Sequence, residues 1–146
     1  ACFLLHRGMK TLALRVRHQN RSALKLAEFL DGHDAVEAIY YPGLKTHPGH
    51  AIACDLFDGF GGMLSFEVKG DVAEAERVIR KLRISISAPS LGGVESLITR
   101  PATTSHAGLT PEDREKTGIS DRLIRVSVGI EATEDLIADF EQALAR

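Results

Sequence analysis

The sequence predicts an α+β fold: a small mixed or antiparallel sheet with helices on one face. Apolar residues recur at helical spacing in some segments and alternate with period two in others, and the two kinds are interleaved along the chain. At 146 residues and 44 % apolar, the chain can build one real core and has little room for a second.

Leu5, Met9, Leu12 and Val16 fall on one helical stripe. Ala23, Leu26, Ala27 and Leu30 resume it after the polar residues 18–22, so the first 30 residues read as one long helix stopped near Gly32. Residues 36–41 are β-branched and aromatic enough for a strand, ended by Pro42-Gly43. Residues 48–56 read as a short helix with Pro48 in its first turn. After the turn at 59–62, residues 63–68 alternate, with Leu64, Phe66 and Val68 on one face. Asp71 and Glu74 resemble a capping box for a helix over 72–82 whose face is Val72, Ala75, Ile79 and Leu82. Residues 84–87 and 96–99 read as short strands around a turn at 90–93, and 101–108 as a loop. Thr110-Pro111-Glu112-Asp113 combines a hydroxyl cap, an early proline and first-turn acids, which starts a short helix. Residues 123–128 alternate, with Ile124, Val126 and Val128 opposite Leu123, Arg125 and Ser127. An amphipathic helix over 133–145 buries Leu136, Ile137, Phe140 and Leu144.

Eighteen Lys and Arg against 20 Asp and Glu leave a net charge of −2, which argues against a polybasic binder of nucleic acid or membrane. Aromatics are 5 % with no Trp, too few for a base-stacking platform. Cys2 and Cys54 cannot make a disulfide framework or a Cys-rich zinc site, and Cys54 reads as a small buried residue. No apolar run approaches the roughly 20 residues of a membrane helix. The N-terminus is apolar before it is basic, the wrong order for a signal peptide, so a cytoplasmic setting is expected. The chain starts at Ala1 already in a helical pattern, which reads as a piece of something longer or as simple Met removal.

Arg125 stands between Ile124 and Val126 in the last strand. Its planar fork suits a carboxylate or phosphate, while the plainer alternative is an arginine on the solvent face of a half-exposed strand. Pro89-Ser90-Leu91-Gly92-Gly93 could bring backbone amides and a hydroxyl close to a ligand, or be only a tight connection. It is not a P-loop, and the glycines at 59–62 lack the context of a dinucleotide site. His47 and His50 have no nearby partners to complete a metal set and read as surface histidines. Ser105 and His106 are adjacent in sequence, and adjacent residues rarely have the geometry of a nucleophile and its base, because such partners normally converge from separate segments.

Six segments together change the reading. They are Arg7-Gly8-Met9-Lys10-Thr11-Leu12, Tyr41-Pro42-Gly43-Leu44, Phe60-Gly61-Gly62-Met63-Leu64-Ser65-Phe66, Ser90-Leu91-Gly92-Gly93-Val94-Glu95-Ser96-Leu97, Pro101-Ala102-Thr103-Thr104-Ser105-His106 and Leu123-Ile124-Arg125-Val126-Ser127-Val128-Gly129-Ile130-Glu131. In this order and spacing the chain resembles, over nearly its whole length, the C-terminal portion of the Cys/Met-metabolism pyridoxal-phosphate enzymes. These include cystathionine γ-synthase, cystathionine γ- and β-lyases, methionine γ-lyase and the homoserine-ester sulfhydrylases.

The resemblance implies a single unit, residues 1–146, that is the small C-terminal domain of a fold-type-I, aspartate-aminotransferase-like enzyme. It includes the long interdomain helix at residues 3–31. It also implies pyridoxal 5′-phosphate as cofactor, a small amino-acid substrate, γ-elimination or γ-replacement chemistry, and a tetramer when complete. The cofactor ring stores the electrons left by deprotonation of the substrate. By the same resemblance Arg125 clamps the substrate α-carboxylate, Ser90 lies beside the catalytic lysine and the substrate, and Ser105 lies near the same cleft. Pro89 stands where many cystathionine-handling members have Glu, which bears on recognition of a distal amino group. The Schiff-base lysine belongs to the family's large domain, and Lys10 and Lys45 sit in other motifs, so no catalytic residue is expected in this chain and the chain alone is expected to be inactive. An exposed apolar face, including the first helix, is expected where the large domain docks. The competing readings are a free-standing amino-acid-binding or regulatory domain and one half of a split enzyme.

Overall fold

The computed structural model describes residues 2–145. Helices α1 (Cys2–Met9), α2 (Leu12–Asp31), α3 (His50–Leu56), α4 (Val72–Lys81), α5 (Pro111–Lys116) and α6 (Thr133–Leu144) alternate with strands β1 (Val36–Tyr40), β2 (Met63–Val68), β3 (Ile86–Ser87), β4 (Leu97–Thr99) and β5 (Leu123–Ser127). The strands form one sheet in the order β1-β2-β5-β4-β3. All neighbours are antiparallel except β3 and β4, so the sheet is mixed and the class is α+β.

The core lies on one face of the sheet. Leu64, Phe66 and Val68 of β2, Ile98 of β4, and Ile124 and Val126 of β5 share it with Leu26 and Leu30 of α2, Val78 of α4 and Phe140 of α6. Phe66 meets Phe140 edge to face, with ring centroids 6.0 Å apart. The opposite face is more polar. In register, Ser65, Arg125 and Thr99 form one row across β2, β5 and β4.

Most predicted elements are present, and the differences have local causes. The long first helix breaks at Lys10-Thr11. Arg15 spans the break, donating from Nη2 to the Gly8 carbonyl and from Nε to Thr11 Oγ1. The third helix starts at His50 rather than Pro48, because His47 Nδ1 takes the Gly49 amide into a turn. On α4 the fully buried pair is Ala75 and Val78; Ile79 and Leu82 pack beside them, and Val72 does not join the core. Asp71 does cap that helix, accepting from the Glu74 amide. Strand 84–87 shrinks to Ile86–Ser87 because the buried Asp139 carboxylate captures the Arg83 and Ile84 amides. The loop at 101–108 opens with a single 3-10 turn, Pro101–Thr103. Cys54 is exposed, not buried, since α3 turns only Ala53 inward.

Candidate functional site

Alternation in β5 sends Ile124 and Val126 into the core and leaves Arg125 and Ser127 on the other face. Segment 88–93 leaves β3 and crosses that face. Arg125 Nη2 donates to the Pro89 carbonyl at 2.9 Å and to the Ser90 carbonyl at 3.1 Å. Ser127 Oγ accepts from the Gly92 amide at 3.0 Å. Gly92 has φ of +75°, a left-handed conformation that a Cβ would disfavour. Two side chains spaced for one strand face therefore strap the turn to the sheet.

The next residues are held from the other side. Gln19 of α2 donates to the Gly93 carbonyl, and the Ile130 amide donates to Val94. The Glu131 carboxylate takes the Ser96 amide at 2.6 Å and the Ser96 hydroxyl at 2.8 Å. Ser96 Oγ in turn accepts from the Gly129 amide. A Cβ at Gly129 would lie 2.5 Å from the Glu95 carbonyl carbon, so the segments just after β5 and just before β4 can approach this closely only with glycine there. His18 Nε2 donates to the Glu131 carbonyl, which fixes the last link to α2.

The charge of Arg125 is not neutralised locally. Arg77, Arg100, Arg114 and Arg122 each lie within ion-pair distance of a carboxylate. Among the described residues no carboxylate is that close to Arg125. Its Nε is buried with no hydrogen-bond partner. Backbone carbonyls orient the guanidinium without cancelling it, which suits an arrangement that receives an anion.

The structure brings Arg125, Pro89 and Ser90 together, and the Ser90 group that meets Arg125 is its carbonyl. Among the described residues no hydrogen bond joins Ser105 to them. The Ser105 hydroxyl bonds His106 Nδ1 at 2.9 Å on the exposed loop. That loop is tied one strand away, through Thr104 to Thr99. His47 and His50 are half-buried and occupied by backbone, His47 with the Gly49 amide and His50 with the Pro42 carbonyl. The sequence reading missed Ser127, Gln19 and the Glu131–Ser96 pair as supports. Ser127 was open to discovery by its two-residue spacing from Arg125. Glu131 and Ser96 are 35 residues apart and carry no local signal. Among the described residues no helix is long and apolar enough to cross a membrane.

Residues 1–145 match the family model described as Cys/Met metabolism PLP-dependent enzyme. The chain is 49 % identical over 144 residues to a chloroplastic cystathionine gamma-synthase of Nicotiana tabacum, covering 99 % of this chain and 27 % of that protein. It is 45 % identical to an L-methionine gamma-lyase of Fusobacterium nucleatum, covering 99 % of this chain and 36 % of that one. A crystal structure of a cystathionine gamma-lyase from Micromonospora echinospora superposes with a TM-score of 0.93 at 42 % identity, over 99 % of this chain and 38 % of that chain. One of cystathionine gamma-synthase from Xanthomonas oryzae in complex with cystathionine gives 0.91 at 49 % identity, over 94 % and 36 %. The chain thus spans well under half the length of each of these relatives. On the family match and these identities, the chain belongs to the Cys/Met-metabolism PLP-dependent enzyme family.

Proposed function

We propose that this chain is the C-terminal small domain of a pyridoxal-phosphate transsulfuration enzyme, and that it supplies the grip on the substrate carboxylate. The complete enzyme catalyses γ-elimination or γ-replacement on a sulfur amino acid or an acylated homoserine. The observation that carries this reading is Arg125, oriented by the Pro89 and Ser90 carbonyls and lacking a carboxylate of its own among the described residues. A guanidinium held this way accepts one carboxylate and fixes the carbon next to it. The turn at 89–93 forms one wall beside it. Pro89 places no carboxylate in that wall, which favours substrates without a distal amino group to recognise.

On this reading the covalent seat for pyridoxal phosphate lies outside this chain, because the resemblance places the Schiff-base lysine in the large domain. Among the described residues the hydrogen-bond partners of the Arg125 guanidinium are the Pro89 and Ser90 carbonyls, and Lys25, Lys81 and Lys116 are engaged elsewhere, with Glu134, the Ala145 carbonyl and Asp113. The reading therefore assigns the cofactor to a large domain that docks on this one. The face for it includes α1 and the start of α2, where Phe3, Leu4, Leu5, Met9, Leu12, Leu14 and Val16 are all exposed. A tetramer built from such pairs completes the proposal.

The test is Arg125→Lys in the enzyme that contains this chain. Losing a charged fork that grips the substrate carboxylate costs roughly 2–5 kcal/mol, so kcat/KM falls by about 30-fold to several thousand-fold. Unchanged kcat/KM would remove Arg125 from the site. As a second arm, this chain alone mixed with pyridoxal phosphate is expected to show no Schiff-base absorption band. A stable band would overturn the assignment of the cofactor to another domain.

A further inference from the structure

Away from Arg125, helix α3 carries a second constellation. Cys54 Sγ lies 3.5 Å from His50 Nε2, one helical turn apart, and the cysteine is exposed. His50 Nδ1 lies 2.8 Å from the Pro42 carbonyl oxygen. A carbonyl can only accept, so Nδ1 carries the proton. In the neutral ring Nε2 is then the acceptor, and it faces the thiol. The ring is held further by Phe60, whose centroid is 5.6 Å away at an interplanar angle of 30°. Nucleophile and base thus share α3, the Pro42 carbonyl in the turn after β1 orients the base, and Phe60 in the turn before β2 packs on its ring.

Cys2 provides an internal contrast. It is also exposed, and it too has a histidine four residues away, though in the reverse order, His6 in α1. Yet no hydrogen bond joins that pair among the described residues, and no carbonyl orients the His6 ring. The spacing alone does not make the dyad; the Pro42 carbonyl does.

We infer that Cys54 is a site of thiol–disulfide exchange, with His50 as its base and a low-molecular-weight disulfide as its co-substrate. The thiol proton passes to His50 Nε2. Cys54 sulfur attacks one sulfur of the disulfide, a new S–S bond forms as the old one breaks, and the leaving thiolate recovers the proton. Cys54 ends as a mixed disulfide, and one equivalent of small thiol is released. The carrier of the attack is the thiolate, which makes up only a few per cent of an ordinary thiol near neutral pH.

The experiment treats the full chain at neutral pH with hydroxyethyl disulfide, a neutral probe, and follows Cys2 and Cys54 separately by peptide mass spectrometry. Cys54 is expected to form the mixed disulfide about tenfold faster than Cys2, because only Cys54 has an imidazole nitrogen in place to take its proton. His50→Gln should bring Cys54 down to the rate of Cys2 and leave Cys2 unchanged, with the circular dichroism spectrum preserved. In denaturant the two wild-type rates should converge. Equal rates in the folded chain, a His50→Gln variant that keeps the fast rate, or a rate difference that survives unfolding would each overturn the inference. If His50→Gln does not fold, the wild-type comparison in buffer and in denaturant decides alone.

Discussion

The two ends of the molecule are built on opposite terms. Around β5 almost every side chain is buried, and several polar ones are committed to named partners: Ser127 to Gly92, Ser96 to Glu131, Asp139 to the Arg83 amide. In α1 no residue is buried, and in α2 burial begins only at Gln19. The exposed part is apolar and also cationic, since the first 27 residues contain no Asp or Glu. The difference teaches where the stability of this chain resides. The sheet with α2, α4 and α6 closes on itself, while α1 offers apolar surface that this chain leaves uncovered.

The strongest way to break that comparison is to cut both ends and compare. Phe66→Ala removes a fully buried ring and its edge contact with Phe140, so unfolding free energy falls by about 3–5 kcal/mol. Leu5→Ser, at a side chain 68 % exposed, changes it by less than about 0.5 kcal/mol. Urea titration followed by circular dichroism measures both. Equal losses would mean that α1 is part of the cooperative unit after all.

A finer cut falls inside the packed end. Glu131→Gln exchanges an ionised acceptor for an amide, and the amide nitrogen cannot accept from the Ser96 donors. Unfolding free energy drops by about 1–3 kcal/mol. Amide exchange at Ser96 should accelerate, and exchange along α1 should not change. Acceleration at both places would join the two regions that the structure keeps apart.

How much of this could be read beforehand follows from the range of each interaction. The strand at 63–68, the cap at Asp71 and the core face of the last helix rest on residues a few positions apart, and the structure contains them. Arg125 was singled out by residue type and strand position, and its place beside Ser90 is present in the fold. The shortening of β3 was not legible, because the competitor for its amides is Asp139, 55 residues further on. Cys54 was misplaced for a related reason. A small residue on a seven-residue helix can face either way, and only the packing of Ala53 decides which. The role proposed for Arg125, gripping a substrate carboxylate, comes from the resemblance and not from any periodicity in the sequence.

The smallest effect sharpens the comparison through charge. Glu37 of β1 accepts a hydrogen bond from Arg122 at the start of β5, and Arg122 also reaches Glu67 of β2. The Arg122 hydrogen bond, and then its charge, hold the Glu37 carboxyl below its ordinary value of 4.5. A depressed carboxylate contributes stability that is fully present above the unfolded value and is lost as pH falls through the folded one. Glu37→Gln should therefore be slightly less stable than wild type near neutrality, and the two should converge in acid below pH 4.5. Added salt should shrink the gap, as expected for an exposed pair. The same acid titration adds no protons to carboxylates in α1 or the first half of α2, because none stand there. A gap that persists in acid would show that Glu37 acts by packing or hydrogen bonding independent of its charge, and β1 would then be held to β5 by something other than this ion pair.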